Sequence, residues 1–353
     1  MVKNYRRLSI DHGLTKNIMA EKKVNPIRMQ QILVAVSVAL FIIKLVAWWL
    51  TSSVAILTDA LESSVNVIAG FIGLYSIILS SKPRDKEHPY GHGKVEFLSS
   101  AIEGVLITIA GFIIIYEGIN NFIHPHELKQ LDFGLALVAL TGAINYLVGY
   151  YCIKKGKEEN SPILVASGSH LQSDTYSSIG LLLGVGLILL TGYAWIDSIA
   201  AIIFAFIIIY TGYKIIRKSV SGIMDEADDA IIDQIVVILN EHRQADWIDV
   251  HNMRVIDYAG FYHIDCHLTV PYYINVNDAH EVLDRLTILF KQHFDDKVEF
   301  FIHVDGCIPA KQCGICNVPN CSVRQSPFIN HVSWTHDNIL SNNKHTLKNE
   351  KFS

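Results

Sequence analysis

The stretch Ile56–Ser80, ILTDALESSVNVIAGFIGLYSIILS, decides the architecture. Crossing the hydrocarbon core of a bilayer as a helix takes about 20 apolar residues, and this stretch is long enough. It nevertheless carries Asp59, Glu62 and Asn66, whose spacings of 3, 4 and 7 place them on one helical face. Ionisable groups are costly in lipid and are kept there for function, facing partners inside a bundle. Residues 162–190 form a second such stretch with His170 and Asp174 four apart, again on one face. Two helices that each present ligands at i and i+4 can close a site between them. Glu62, Asn66, His170 and Asp174 offer three oxygens and one nitrogen, and their two carboxylates balance a divalent cation. Such a set suits Zn²⁺, and imidazole also admits Fe²⁺, Co²⁺ or Ni²⁺. Any one of these polar groups alone reads as an interhelical hydrogen bond, but five on two matching faces favour a cation site. Lys44, in the preceding stretch, can pair with one of the carboxylates or extend to the interface.

Outward from these two stretches, half of the 353 residues are hydrophobic and they are clustered. Six apolar runs, at 30–50, 56–80, 98–120, 131–152, 162–190 and 195–216, predict a six-helix transmembrane domain over 30–216. An N-terminal arm (1–29) precedes it. Basic residues divide unevenly between the two sides. The arm carries Arg6, Arg7, Lys16, Lys22, Lys23 and Arg28. The loop after the second run carries Lys82, Arg84, Lys86 and Lys94, that after the fourth Lys154, Lys155 and Lys157, and Arg217 and Lys218 follow the sixth. The other side carries almost none. This asymmetry predicts cytoplasmic N- and C-termini in a cell inner (plasma) membrane, with the lipid bilayer as partner and no nucleic acid. The first 28 residues lack an apolar run, so no cleavable signal is expected.

After Ser219 the apolar runs shorten. Residues 217–306 predict a cytoplasmic α+β domain in the order αββαβ: helix Asp228–Arg243, strands His251–Tyr258 and Phe261–Val270 around an Ala259-Gly260 hairpin turn, helix Asp278–Phe294 and strand Lys297–Val304. Two helices on one face of a small antiparallel-type sheet follow from that order. Within it His251, His267, His280, His303 and Asp305 are candidate ligands, and His303 and Asp305 share a strand face. Histidines at strand ends are also commonly just solvated. In the loop after the second run, Asp85, His88 and His92 have chelating spacings of 3 and 4, although a charged juxtamembrane loop needs no metal.

Six cysteines in a cytoplasm-facing chain should be mostly reduced. Cys152 and Cys266 read as structural. Cys307, Cys313, Cys316 and Cys321 open a polar tail (307–353), and their spacing fits a Cys₄ zinc site, an iron–sulfur site, or unconnected thiols. Residues 322–353 are polar enough to be expected poorly ordered.

Three motifs together resemble the cation diffusion facilitator family over about residues 30–306: Ser53-Val-Ala-Ile-Leu-Thr-Asp-Ala-Leu-Glu62-Ser-Ser-Val-Asn66, His88-Pro-Tyr-Gly-His92-Gly-Lys94-Val-Glu96 and His170-Leu-Gln-Ser-Asp174. The resemblance implies a homodimer of six-helix subunits that exchanges Zn²⁺ or a related ion (Fe²⁺, Mn²⁺, Co²⁺, Ni²⁺) for protons. It puts Glu62, Asn66, His170 and Asp174 on the transport site; Asp59, one turn before Glu62, is a possible further donor that would compensate for the neutral Asn66. Asp85, His88 and His92 fall on a second site. His251, His267, His280, His303 and Asp305 fall on a binuclear site at the dimer of soluble domains, where metal acts as regulator. Lys94 and Asp225 fall on a charge interlock between subunits. The pair Glu62/Asn66 departs from the Asp/Asp or His/Asp usual in zinc members, and the cysteine-rich tail lies outside the resemblance.

The expected mechanism follows from competition, because a ligand must lose its proton to bind metal. A cytoplasmic ion displaces protons from His170 and a carboxylate, the loaded site turns outward, and protons rebind to help release the ion. A membrane-bound sensor that signals through the soluble domain is the alternative, and it would need neither Glu62 nor His170 and Asp174. A metalloenzyme is the weakest class, since no nucleophile motif accompanies the ligands.

Overall fold

The computed structural model describes residues 26–51, 54–123, 131–191, 195–294 and 297–347, and within the helices some side chains, those of Asp59 and Glu62 included, lie outside the described set. The arm residues Arg6, Arg7, Lys16, Lys22 and Lys23 also lie outside it. Six long helices come first: α1 (Pro26–Thr51), α2 (Val54–Ser80), α3 (Lys94–Ile123), α4 (Leu131–Glu158), α5 (Pro162–Thr191) and α6 (Trp195–Ile223). At 26 to 30 residues each, they extend about 39–45 Å at the helical rise. Pro26–Val46 and Lys94–Asn120 are, among the described residues, long and apolar enough by themselves to cross a bilayer.

The bundle is apolar outside, and its interior holds polar groups beside an apolar cluster of Met29, Leu33, Ile77, Ile163 and Leu164. Ile68, Phe71, Ile109, Phe112, Ile203 and Phe206 are exposed, whereas Gln30, Ser76, Glu103, Ser167 and His170 are buried. That inversion suits a lipid surround, where polar groups must find partners within the protein. Helix α3 packs along α6, α4 along α5 and α1 along α2. Two of these contacts are backbone on backbone. A Cβ added to Gly168 would lie 2.8 Å from the Gly149 carbonyl oxygen, and one added to Gly212 would lie 2.8 Å from that of Gly104. Such small-residue crossings take the place of the hydrophobic driving force that lipid removes.

The soluble part follows the expected order: α7 (Asp229–Glu241), β1 (Asp249–Asp257), β2 (Tyr262–Val270), α8 (Val276–His293) and β3 (Val298–Gly306). Asp228 caps α7 by accepting from Ala230 N, and Asn275 caps α8 by accepting from Asp278 N. Ile232, Ile235 and Leu239 of α7 and Val282, Leu286 and Phe290 of α8 recur at helical spacing and face one core with Ile264, Cys266 and Leu268 of β2. Ala259 and Gly260 turn the hairpin with φ of 54° and 88°, both left-handed, as the Asp257–Tyr262 pairing demands. The sheet is mixed rather than antiparallel: β1 pairs antiparallel with the central β2, but β2 pairs parallel with β3. Helix α8 supplies the crossover a parallel pair requires.

The tail corrects a second expectation. Residues 307–347 fold back on the domain, adding α9 (Pro309–Gln312) and α10 (His336–Ile339). Trp334 and Ile339 enter the α7–sheet core. Arg243 donates to Val332 O (2.5 Å) and stacks over the Trp334 ring at 3.9 Å. Polar composition hid this because the anchoring groups are few and widely spaced.

Burial raises the Asp257 carboxyl to about 6, although Gly260 N–H donates to it. Its unfolded value lies near the usual ~3.9. The unfolded chain therefore ionises first as pH rises, so the destabilisation appears above about pH 4 and is complete above about pH 6. Asp257→Asn, which keeps an acceptor for Gly260 N–H, should raise the thermal midpoint of the soluble domain at pH 7.5 and leave it unchanged near pH 4, as read by thermal unfolding of the full chain in detergent.

Candidate metal centres

The bundle brings together the polar residues of α2 and α5. Asn66 Nδ2 donates to Asp174 Oδ2, joining α2 to α5. His170 is buried one turn before Asp174. His170 and Asn66 line a small cavity whose other polar residues are Ser37, Glu103 and Ser167 and which Leu33 and Leu171 also line. Three of the four expected donors are thus gathered, while the Glu62 side chain and the possible donor Asp59 lie outside the described residues. Lys44 turns inward, buried, and donates to Ser63 Oγ at 2.7 Å instead of extending to the interface.

Two residues beside this site escaped the sequence reading. Glu103 of α3 is 1% exposed; its Oε1 accepts from Ser167 Oγ (2.6 Å), and its Oε2 is buried without a hydrogen-bond partner among the described residues. Gln30 of α1 donates to Gly70 O (3.2 Å) and to Ser167 Oγ (3.3 Å). A carboxyl in the middle of an apolar run was the signal for Glu103. Gln30 stood at the start of its run and had none.

Asp85, His88 and His92 each offer a ligand atom within 4.8 Å of the others. Asp85 Oδ1 accepts from His88 N (2.7 Å) and Glu87 N (2.9 Å) and meets His88 Nδ1 at 3.2 Å, while its Oδ2 meets His92 Nε2 at 3.4 Å. The backbone N–H of His88 holds this carboxyl below its usual range, keeping it anionic for a cation. The loop also docks on the soluble domain. Arg84 pairs with Glu299 of β3 (2.7 Å), Tyr90 meets the edge of the His263 ring, and a Cβ on Gly93 would lie 2.3 Å from Tyr258 O. Lys94 pairs with Asp225 at 2.6 Å, joining the start of α3 to the segment after α6 within the chain.

On the sheet, His251, His267 and Asp305 converge with ligand atoms within 4.8 Å of one another. Register explains it: His251 is opposite His267, which is opposite His303, and Asp305 lies two residues further along β3. Asp305 Oδ2 is 3.0 Å from His267 Nδ1 and 3.5 Å from His251 Nε2. His303 stands beside the group, its ring centroid 4.6 Å from that of His267. His280 is exposed on α8, with Asp284 at 3.8 Å. The tail adds Lys344, whose Nζ lies 3.2 Å from Asp305 Oδ1, and His345, whose Nδ1 lies 2.5 Å from Asp249 Oδ1. Burial alone would raise Asp305, but the hydrogen bonds from His267 and Lys344 hold its carboxyl below the usual range. Two imidazoles and a carboxylate at these separations fit a tetrahedral divalent ion with one position left for water or a further residue.

Residues 31–224 match the family model of the cation efflux transmembrane domain, and residues 227–307 match that of the cation efflux protein cytoplasmic domain. An uncharacterised transporter of Synechocystis sp. is 31% identical over 69% of this chain and 79% of its own. The manganese efflux system protein of Bacillus subtilis is 28% identical over 72% and 86% respectively. A cadmium, cobalt and zinc/H⁺–K⁺ antiporter of Bacillus velezensis is 26% identical over 69% and 78%. With more than half of its residues matched by the transmembrane model and a paired α2–α5 donor set in that region, the chain belongs to the cation efflux family, the cation diffusion facilitators, and is a membrane protein of metal-cation transport.

Proposed function

We propose that this protein exports a divalent transition-metal ion, Zn²⁺ foremost, from the cytoplasm in exchange for protons, as a homodimer in the plasma membrane with all six long helices spanning it and both termini cytoplasmic. The observation that carries this is the Asn66–Asp174 contact beside buried His170, which joins two apolar helices through the donors an ion needs. Glu62 completes the set in this reading. Metal entering the site displaces the Asn66–Asp174 hydrogen bond and any proton on His170, so proton and metal binding exclude each other. Glu103 contributes a carboxyl to the lining of the same cavity, where it can hold a proton or steady the ion's charge.

An oxygen-rich set with a neutral amide also accommodates Mn²⁺. The relative named as a manganese efflux protein favours Mn²⁺ as the second cargo reading. The His251–His267–Asp305 group serves as a regulatory site that fills at high cytoplasmic metal.

Two experiments test this. In proteoliposomes containing a pH dye, wild-type protein should give saturable flux of Zn²⁺ with proton counterflow, and Asp174→Ala should lower flux by at least about 100-fold, since a ligand matters no less than its outer partners. Equal flux in both would place the route elsewhere. Metal uptake without proton counterflow would refute the exchange. Second, the Lys344 ammonium competes with metal for Asp305. An ion pair of this exposure is worth up to about 1 kcal/mol. Lys344→Met should therefore tighten Zn²⁺ binding by about two- to five-fold in calorimetric titration, a gain that disappears once His251 and His267 are replaced by alanine.

A further inference from the structure

The four cysteines of the tail belong to none of these sites. All are free thiols; Cys313 and Cys316 are buried, and Cys307 and Cys321 are half-buried. The fold brings them to one corner of the soluble domain. Cys316 N–H donates to Cys313 O at 3.3 Å, which sets those two on one turn, and Gln325 N–H donates to Cys313 Sγ at 3.4 Å. Cys307, just past β3, is tied to Val270 O through its N–H at 2.9 Å and packs against the small cluster that contains Cys316. Arg324 N–H donates to Cys321 O at 3.3 Å, which ties Cys321 to the residue whose side chain holds the same turn.

The surrounding loop is built to hold them. The Arg324 guanidinium donates to the carbonyl oxygens of Cys313 (3.3 Å), Cys316 (3.0 Å) and Val318 (2.8 Å), pinning the turn. Gly314 O accepts from Ile329 N at 2.8 Å, closing the loop on itself. Its apolar support is slight: Ile248, Ile315, Cys316 and Val332 form the whole buried cluster among the described residues. Units with so little core are held by a disulfide or a metal. The thiols are free.

We propose that Cys307, Cys313, Cys316 and Cys321 bind a resident Zn²⁺ ion as four thiolates, a closed structural site distinct from the histidine–carboxylate sites and off the transport route. Zinc draws the sulfurs to about 2.3 Å in a tetrahedron with no open position, so the site takes no part in turnover. Its effect is to staple the tail. The same segment carries Trp334 into the core and Lys344 to Asp305, so the ion fixes the register of both.

The test uses full-length protein in detergent, titrated with Co²⁺ and then Zn²⁺. Wild type and the double variant His251→Ala/His267→Ala should both develop the thiolate-to-cobalt charge-transfer band of a tetrahedral sulfur site, bleached by Zn²⁺. Cys313→Ser/Cys316→Ser should lack the band and bind one metal ion fewer per chain. Should that variant not fold, alkylation of wild type decides: the four tail thiols should react about ten-fold or more slowly with Zn²⁺ bound than after a strong chelator. Absence of the band in wild type, equal alkylation with and without metal, disulfides found by mass, or iron with acid-labile sulfide in the isolated protein would each overturn the proposal. None of these readouts requires transport, so failure of the export reading leaves this one standing, and the reverse.

Discussion

A charged or amide group inside lipid has to be met by another protein group, and the membrane half of this chain is organised around that requirement. Asn66 of α2 and Asp174 of α5 meet each other. Glu103 of α3 and Gln30 of α1 meet Ser167 of α5. Four helices thus turn polar faces toward one place, and their remaining faces are left to apolar side chains that lipid can solvate. The inside-out surface, the cavity and the candidate ligand set are three expressions of one constraint. Removing a single partner would leave another group buried and unsatisfied, which makes the arrangement interdependent.

The soluble half obeys the opposite solvent and is joined to the first by short polar contacts. Arg84 on Glu299, Tyr90 against His263 and Lys94 on Asp225 fasten the α2–α3 loop to the sheet and to the end of α6. That loop also holds the Asp85–His88–His92 group. The sheet is therefore in direct contact with the loop that joins α2 to α3. Because Asp305 faces both the histidines and Lys344, the charge state of the sheet site is tied to the seating of the tail.

Periodicity made most of this legible from sequence. The i, i+4 pairs Glu62/Asn66 and His170/Asp174 marked the facing helices, and Ile232, Ile235 and Leu239 marked α7. Ala259-Gly260 marked the hairpin because glycine takes left-handed backbone without strain. What escaped depends on partners distant in the chain. Strand order does not encode direction, so the parallel β2–β3 pairing needed the crossover of α8 to be seen in place. Glu103 read as one carboxyl in a long apolar run until Ser167, 64 residues later, came against it. The tail looked like solvent-loving chain because Trp334, Lys344 and His345 are isolated anchors without a repeat.

The glycine crossings carry one more consequence. Backbone contact at Gly149–Gly168 locks α4 to α5, and at Gly104–Gly212 it locks α3 to α6, so neither pair can slide without a clash. Helix α2 packs along α1 instead. Asn66 and Asp174 consequently sit on different helix pairs, in contact across the boundary between them. In the export reading proposed above, an ion held by both would be a weld across that boundary. How tightly the cargo is gripped and how readily the halves part would then be one quantity, and an ion that binds too well would hold shut the very seam through which it has to leave.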